Sequence, residues 1–238
     1  MLQPTPDLFR GLARSSPWRW RALAFDLQRR PVHGPEHAVH ATVERGVGLE
    51  VRLADGERHR DAAARIRAGW SEVGTGRHGI LELPFAWELP VDVDAFGFVV
   101  RRPATATSED PMWQDYQWVA MLDPVELADG AVLGRDEDSV PPPALDLHRL
   151  DASVRHGRDT WWAEVAPREE YAPRCSCCPL LLDHTTASLV ALDVATGVCV
   201  HVEHLGGDHA GRGFSLRIRS VDGVEGDDVD GSGIGRES

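Results

Sequence analysis

Apolar and polar residues alternate one for one through much of the chain, and each alternating run closes on a turn signal. Val39, Ala41 and Val43 alternate with His40, Thr42 and Glu44; after a break at Gly46, Leu49, Val51 and Leu53 alternate with Glu50 and Arg52. A period of two is that of a strand with one buried face, so these runs predict an antiparallel hairpin, with Asp55-Gly56 turning the chain again. Residues 145–155 and 159–165 pair in the same way around His156-Gly157-Arg158, and 187–193 and 198–204 around Ala195-Thr196-Gly197. A last strand covers 213–220, with Phe214, Leu216 and Ile218 on one face. Residues 18–28 also alternate and read as strand, and 94–102 restores a β pattern after a stretch broken by Pro84 and Pro90.

Helix signals are few. Thr5-Pro6 places an N-cap before a proline at the first helical position. The Ala-rich stretch 61–70 favours a helix by propensity, with strand plus turn as the other reading. Asp123-Pro-Val-Glu126 has the form of a capping box and predicts two helical turns ending near Gly130, which makes Asp123 and Glu126 capping groups rather than an acid/base pair. The fold class is therefore mainly β, with a few short helices. A single domain is expected over 1–221, followed by a disordered acidic, Gly-rich tail over 222–238 that lacks the apolar residues to offset its ordering entropy.

Composition narrows the function classes. A formal charge of −13 over 238 residues argues against a nucleic-acid footprint. All 25 basic residues are arginine, which excludes chemistry that needs a lysine, such as a Schiff base or the P-loop phosphate contact. Residues 1–7 are polar and lack an apolar signal core, and no window approaches the roughly 18 apolar residues of a membrane span. The expectation from these features is a cytoplasmic protein whose thiols stay reduced.

Two constellations carry candidate chemistry. Cys175 and Cys178 form a C-x-x-C pair, and Cys199 with His201 a C-x-H pair on one face of the following strand. Together these four, with Cys177 as substitute, suit a structural tetrahedral zinc site. The same thiols also suit core packing or a disulfide. The second constellation is aromatic. Trp118, Trp161 and Trp162 are candidate cavity-lining residues, and adjacent Trp161 and Trp162 must point to opposite faces of a strand. His37, His40, His201 and His204 show no spacing that pairs a nucleophile with a base, so binding is expected in place of catalysis.

Three segments occur in a suggestive order: Tyr116-Gln-Trp-Val-Ala-Met-Leu-Asp-Pro-Val-Glu-Leu127, then His156-Gly157-Arg158, then Leu192-Asp-Val-Ala-Thr-Gly197. Over roughly residues 18–221 the chain resembles the LolA-like superfamily of lipoprotein carriers and lipid-binding lipoproteins. The resemblance implies a strongly curved antiparallel sheet forming an unclosed half-barrel, helices on its concave side, and an apolar cavity between them for acyl chains. Cys-Ser-Cys-Cys lies outside that pattern. The expected function is a non-catalytic binding protein holding a hydrophobic or lipid-like small molecule, and the alternative is a regulatory or protein-interaction module built on the zinc site.

Overall fold

The computed structural model describes residues 2–31, 35–63, 67–71, 78–82, 84–103, 111–129, 142–173, 175, 179–182 and 186–225. Helix α1 spans Pro6–Arg19, and Thr5 caps it by accepting a 3.3 Å hydrogen bond from the Leu8 amide. Strands β1 (Ala22–Arg30), β2 (His37–Glu44), β3 (Gly48–Leu53) and β4 (Arg58–Ala62) follow, then a separate hairpin of β5 (Arg67–Ser71) and β6 (His78–Glu82). The short helix α2 is Gln117–Leu122, and a single 3₁₀ turn at Val125–Leu127 continues it. The second half is β7 (Leu145–Arg155), β8 (Arg158–Pro167), β9 (Ser188–Asp193), β10 (Cys199–His204), β11 (Gly213–Val221) and β12 (Val224–Glu225).

One antiparallel sheet holds ten of these strands. Nine form an unbroken path, β4-β3-β2-β1-β11-β10-β9-β8-β7, with β12 hanging on β11. The sheet is unclosed, as a half-barrel requires, because β4 and β7 end the path without pairing with each other. Chain order explains the topology: each hairpin pairs with its sequence neighbour, and the single long-range step is β1 on β11. The β7–β8 turn has positive φ at His156 (49°) and Gly157 (75°), which is the type I′ geometry whose twist suits a tight hairpin.

Parity decides which side is buried. Leu23, Phe25 and Leu27 of β1, Val39, Ala41 and Val43 of β2, Phe214 and Leu216 of β11 and Val190 of β9 all point to one face and are buried there. Phe9, Leu12 and Ala13 of α1 and Trp118, Met121 and Leu122 of α2 cover this inner face and lie in the same apolar cluster. The two helices are tied together: Ser16 Oγ donates to the Leu122 carbonyl at 2.6 Å, and Arg14 pairs with buried Asp129 at 2.7 Å.

Several expectations need correction. The described residues of the Ala-rich stretch 61–70, which are 61–63 and 67–70, are not helical. Its first residues pair with β3, where Arg60 opposes Glu50 at 2.7 Å, and its end forms β5; ladder pairing overrides a propensity worth tenths of a kcal/mol per residue. The 94–102 stretch contributes one isolated bridge, Val93 to Val99, and no strand. The expected strand at 18–28 begins at Ala22, because α1 runs on to Arg19. Asp123 is not an N-cap: it follows the end of α2, and its carboxylate is buried against the Arg102 guanidinium. Order continues past Asp222, whose carboxylate accepts from the Arg21 and Ala22 amides at 2.7 Å and turns the chain into β12. Residues 226–238 lie outside the described part.

Candidate functional site

The interior between the inner face and α2 is an aromatic layer. The Trp118 ring lies 5.6 Å from Phe25 and 5.8 Å, edge-on, from Trp113, and Trp113 meets His37 edge-on at 5.4 Å. Trp161 is fully buried; its ring meets Phe98 at 5.5 Å and its indole N–H donates to the Leu2 carbonyl at 3.0 Å. Leu27, Arg29, Gln117, Trp118, Met121 and Phe214 meet between the sheet and α2 around a narrow cleft with no room for a water-sized sphere. Trp162 faces the other way. Its indole donates to Ser153 Oγ at 2.8 Å and its ring lies 5.3 Å from that of His201. Of the three sequence-predicted tryptophans, Trp118 and Trp161 thus belong to the inner layer and Trp162 to the opposite face.

Arg29 was missed by motif reading, although a signal for it exists. It takes the fourth inward position after Leu23, Phe25 and Leu27, and a charged residue at an inward position calls for a partner or a function. Only 4% exposed, it donates through Nη2 to Asp115 Oδ2 and Gln117 Oε1, both at 2.7 Å. Its Nη1 and the Trp118 Nε1 are both buried and, among the described residues, have no hydrogen-bond partner. Two unpaired donors beside one apolar cleft cost about 1–3 kcal/mol each.

Glu126 was misread as a cap. Its buried carboxylate accepts from the Tyr171 hydroxyl at 3.0 Å and the Leu180 amide at 2.6 Å, and Tyr171 in turn accepts from the Leu181 amide at 3.1 Å. Burial, reinforced by the neighbouring Glu126 charge, raises the Tyr171 hydroxyl well above its ordinary pKa. With Gln117 Nε2 donating to the Pro179 carbonyl at 3.3 Å, these bonds fasten the cysteine-bearing segment against α2 and its 3₁₀ turn.

The cysteine constellation divides. Cys175 is disulfide-bonded, while Cys177 and Cys178 lie outside the described residues. The expected C-x-H pair does not share a face, because a bulge between Cys199 and His201 breaks the alternation of β10. Cys199 registers with Leu192 and is fully buried, whereas His201 registers with Ala191 and packs on Trp162. Burial pushes the Cys199 thiol up to about 12 and, with the Arg155 charge nearby, pulls His201 down to about 4. Among the described residues no group of three His, Cys, Asp or Glu side chains is arranged to hold a metal. A disulfide sulfur is not available as a zinc thiolate, and Cys199 and His201 stand on opposite faces of β10, so these side chains are not brought together as one ligand set.

No family model matches the chain, and no curated protein matches its sequence. Solved structures do. The chain is similar to MucB at 14% identity and a TM-score of 0.39, with 91% of this chain covered; it spans only 58% of the MucB structure. It is similar to a LolA superfamily protein from Nitrosomonas europaea at 9% identity and a TM-score of 0.25, covering 92% of this chain and 93% of that one. A putative outer membrane lipoprotein-sorting protein domain from Vibrio parahaemolyticus gives 9% identity and a TM-score of 0.25, with 91% of each chain covered. The unclosed half-barrel that the resemblance implied is present in the chain's own sheet, with its helices on one face. The expectation of a cytoplasmic protein with reduced thiols is corrected. Cys175 is in a disulfide, a bond that persists in oxidising compartments.

Proposed function

We propose that the chain is a non-catalytic binding protein for a hydrophobic, lipid-like molecule, taken up between the inner face of the sheet and the α2 segment. The observation that carries this reading is the cleft beside Trp118. Leu27, Met121 and Phe214 line it together with Trp118 and Arg29, each of which has a buried N–H without a partner among the described residues. An apolar chain entering there would gain burial at about 25 cal/mol per Å², and an acceptor atom on the same ligand would satisfy donors that are now unpaired. Trp161 is fully buried on the same inner face, packed against Phe98.

In its closed state the cleft is too narrow for such a ligand, so binding requires α2 to move outward. A six-residue helix without a side-chain cap is a suitable moving part, since helices this short are marginal without tertiary packing. The test is direct. Native mass spectrometry of the purified chain should show a co-purified organic mass, and a fluorescent fatty-acid analogue should bind and be displaced by oleate. If Trp118→Ala and the parent both fail to bind the analogue and no organic mass is present, the reading is lost.

A further inference from the structure

The face of the sheet opposite α1 carries a second site of different character. A groove of about 690 Å³ lies there, lined by Asp26, His40, Arg52, Arg155, Ser215 and Arg217 among others. It gathers three guanidinium groups in a chain whose net charge is −13; of these, Arg52 lies 3.7 Å from Glu50. The one carboxylate in this set is already engaged: Asp26 accepts from Arg219 Nε at 2.6 Å and lies 2.9 Å from His40 Nδ1.

Arg155 sets the chemistry. It reaches from the end of β7 to β11, where its Nη2 donates to Ser215 Oγ at 2.6 Å, and its guanidinium stands 5.5 Å from the centre of the Trp162 ring. Among the described residues it has no carboxylate partner, and its Nη1 is buried without any hydrogen-bond partner. Ser215 registers with His201, whose Nδ1 is likewise buried and unpartnered. A half-buried guanidinium with one buried, unpartnered nitrogen keeps donor capacity that a serine hydroxyl and one aromatic face fill only in part.

We propose that this groove is an anion site, in which Arg155, with Ser215 and Arg217 beside it, receives a phosphate or carboxylate group. The site stands on the opposite face from the aromatic cleft and does not depend on the reading given above. A guanidinium with a free edge binds such oxyanions through parallel N–H···O bonds, each charge-assisted. The anion is either free in solution or the headgroup of a lipid, and the two sources are separable.

Phosphorus NMR of inorganic phosphate titrated with the full chain tests the free source. Co-sedimentation with vesicles of phosphatidylcholine alone, or mixed with phosphatidylglycerol, tests the lipid source. Broadening of the phosphate signal that weakens about tenfold in Arg155→Gln, while Arg58→Gln on exposed β4 behaves as the parent, supports a free anion. Arg155-dependent sedimentation with the anionic vesicles only supports a headgroup. Binding to neither probe, or binding that Arg155→Gln leaves unchanged, overturns the proposal. Should Arg155→Gln fail to fold, Ser215→Ala, which leaves the guanidinium in place and removes its neighbouring hydroxyl, is expected to weaken the same signal several-fold, and an unchanged signal overturns the proposal equally.

Discussion

Arg29 stands where the alternation of Leu23, Phe25 and Leu27 calls for a fourth apolar side chain. Removing one member of a buried ion pair strands the other, but Asp115 is part-exposed and can be solvated, so Arg29→Met should lower stability to urea by about 1–3 kcal/mol. The same change should weaken binding of a fatty-acid analogue about tenfold, because it removes a charged donor from the cleft. A loss of several kcal/mol with unchanged binding would show that Arg29 serves only the fold. His201 gives a second test. Its neutral ring is favoured in the folded chain, where burial, then the Arg155 and Arg30 charges, outweigh Glu203 and bring its pKa to about 4. The unfolded ring takes up its proton near the ordinary value of about 6.5, so this contribution is fully present above that pH and is lost as pH falls toward 4. Urea unfolding at a series of pH values should therefore show the parent losing on the order of 2–3 kcal/mol more than His201→Gln across that window. Parallel curves would refute the assignment. Residue parity made Arg29 legible in the sequence, whereas the opposite placement of Cys199 and His201 was not, since a bulge leaves no mark on an alternating pattern.

Elements whose stability comes from pairing with a sequence neighbour were the ones the sequence revealed. The hairpins β2–β3, β7–β8 and β9–β10 are each fixed by a two-residue period and a turn with positive φ, both local properties. β4 was missed although it pairs with its neighbour β3, because all five of its residues are exposed and show no apolar alternation, and α2 lies a few residues before the capping signal because Asp123 is taken by Arg102 from elsewhere in the chain. The β9–β10 turn shows how tightly α1 is seated on the sheet. At Gly197, with φ of +72°, an added Cβ would lie 2.8 Å from the Leu12 carbonyl and 3.1 Å from the Ser16 amide, both backbone atoms of α1. At Gly56, with φ of +90°, nothing lies within 4 Å. Gly56→Ala should thus cost only the left-handed conformation, about 1–2 kcal/mol, while Gly197→Ala should cost about 3 kcal/mol or more because α1 must also shift. Equal losses of melting temperature in the two variants would mean that α1 is loosely docked.

At the scale of the whole molecule, a long sheet of neighbour-paired strands is rigid relative to what lies on it. The strands share a continuous ladder, and β9 and β10 within it are almost wholly buried, whereas α2 is two turns or fewer, tied at its ends by bonds from Asp123 to Arg102 and from Gln117 to the Pro179 carbonyl. Local opening follows this difference, because regions with short elements and few buried ladders unfold at lower free energy than the centre of a sheet. Uptake of a ligand into the aromatic layer then has one low-cost route, displacement of α2 with Trp118 and Met121. Hydrogen exchange should show the amides of β9 and β10 protected most strongly and those of 117–127 exchanging sooner. On saturation with oleate, exchange should change in 117–127 and in the facing residues of β1 and β11, with β9 and β10 unaltered. If oleate binds while 117–127 is unchanged and protection instead appears at 26–28, 38–40 and 215–217, the apolar ligand occupies the opposite face, and the interior is a closed core.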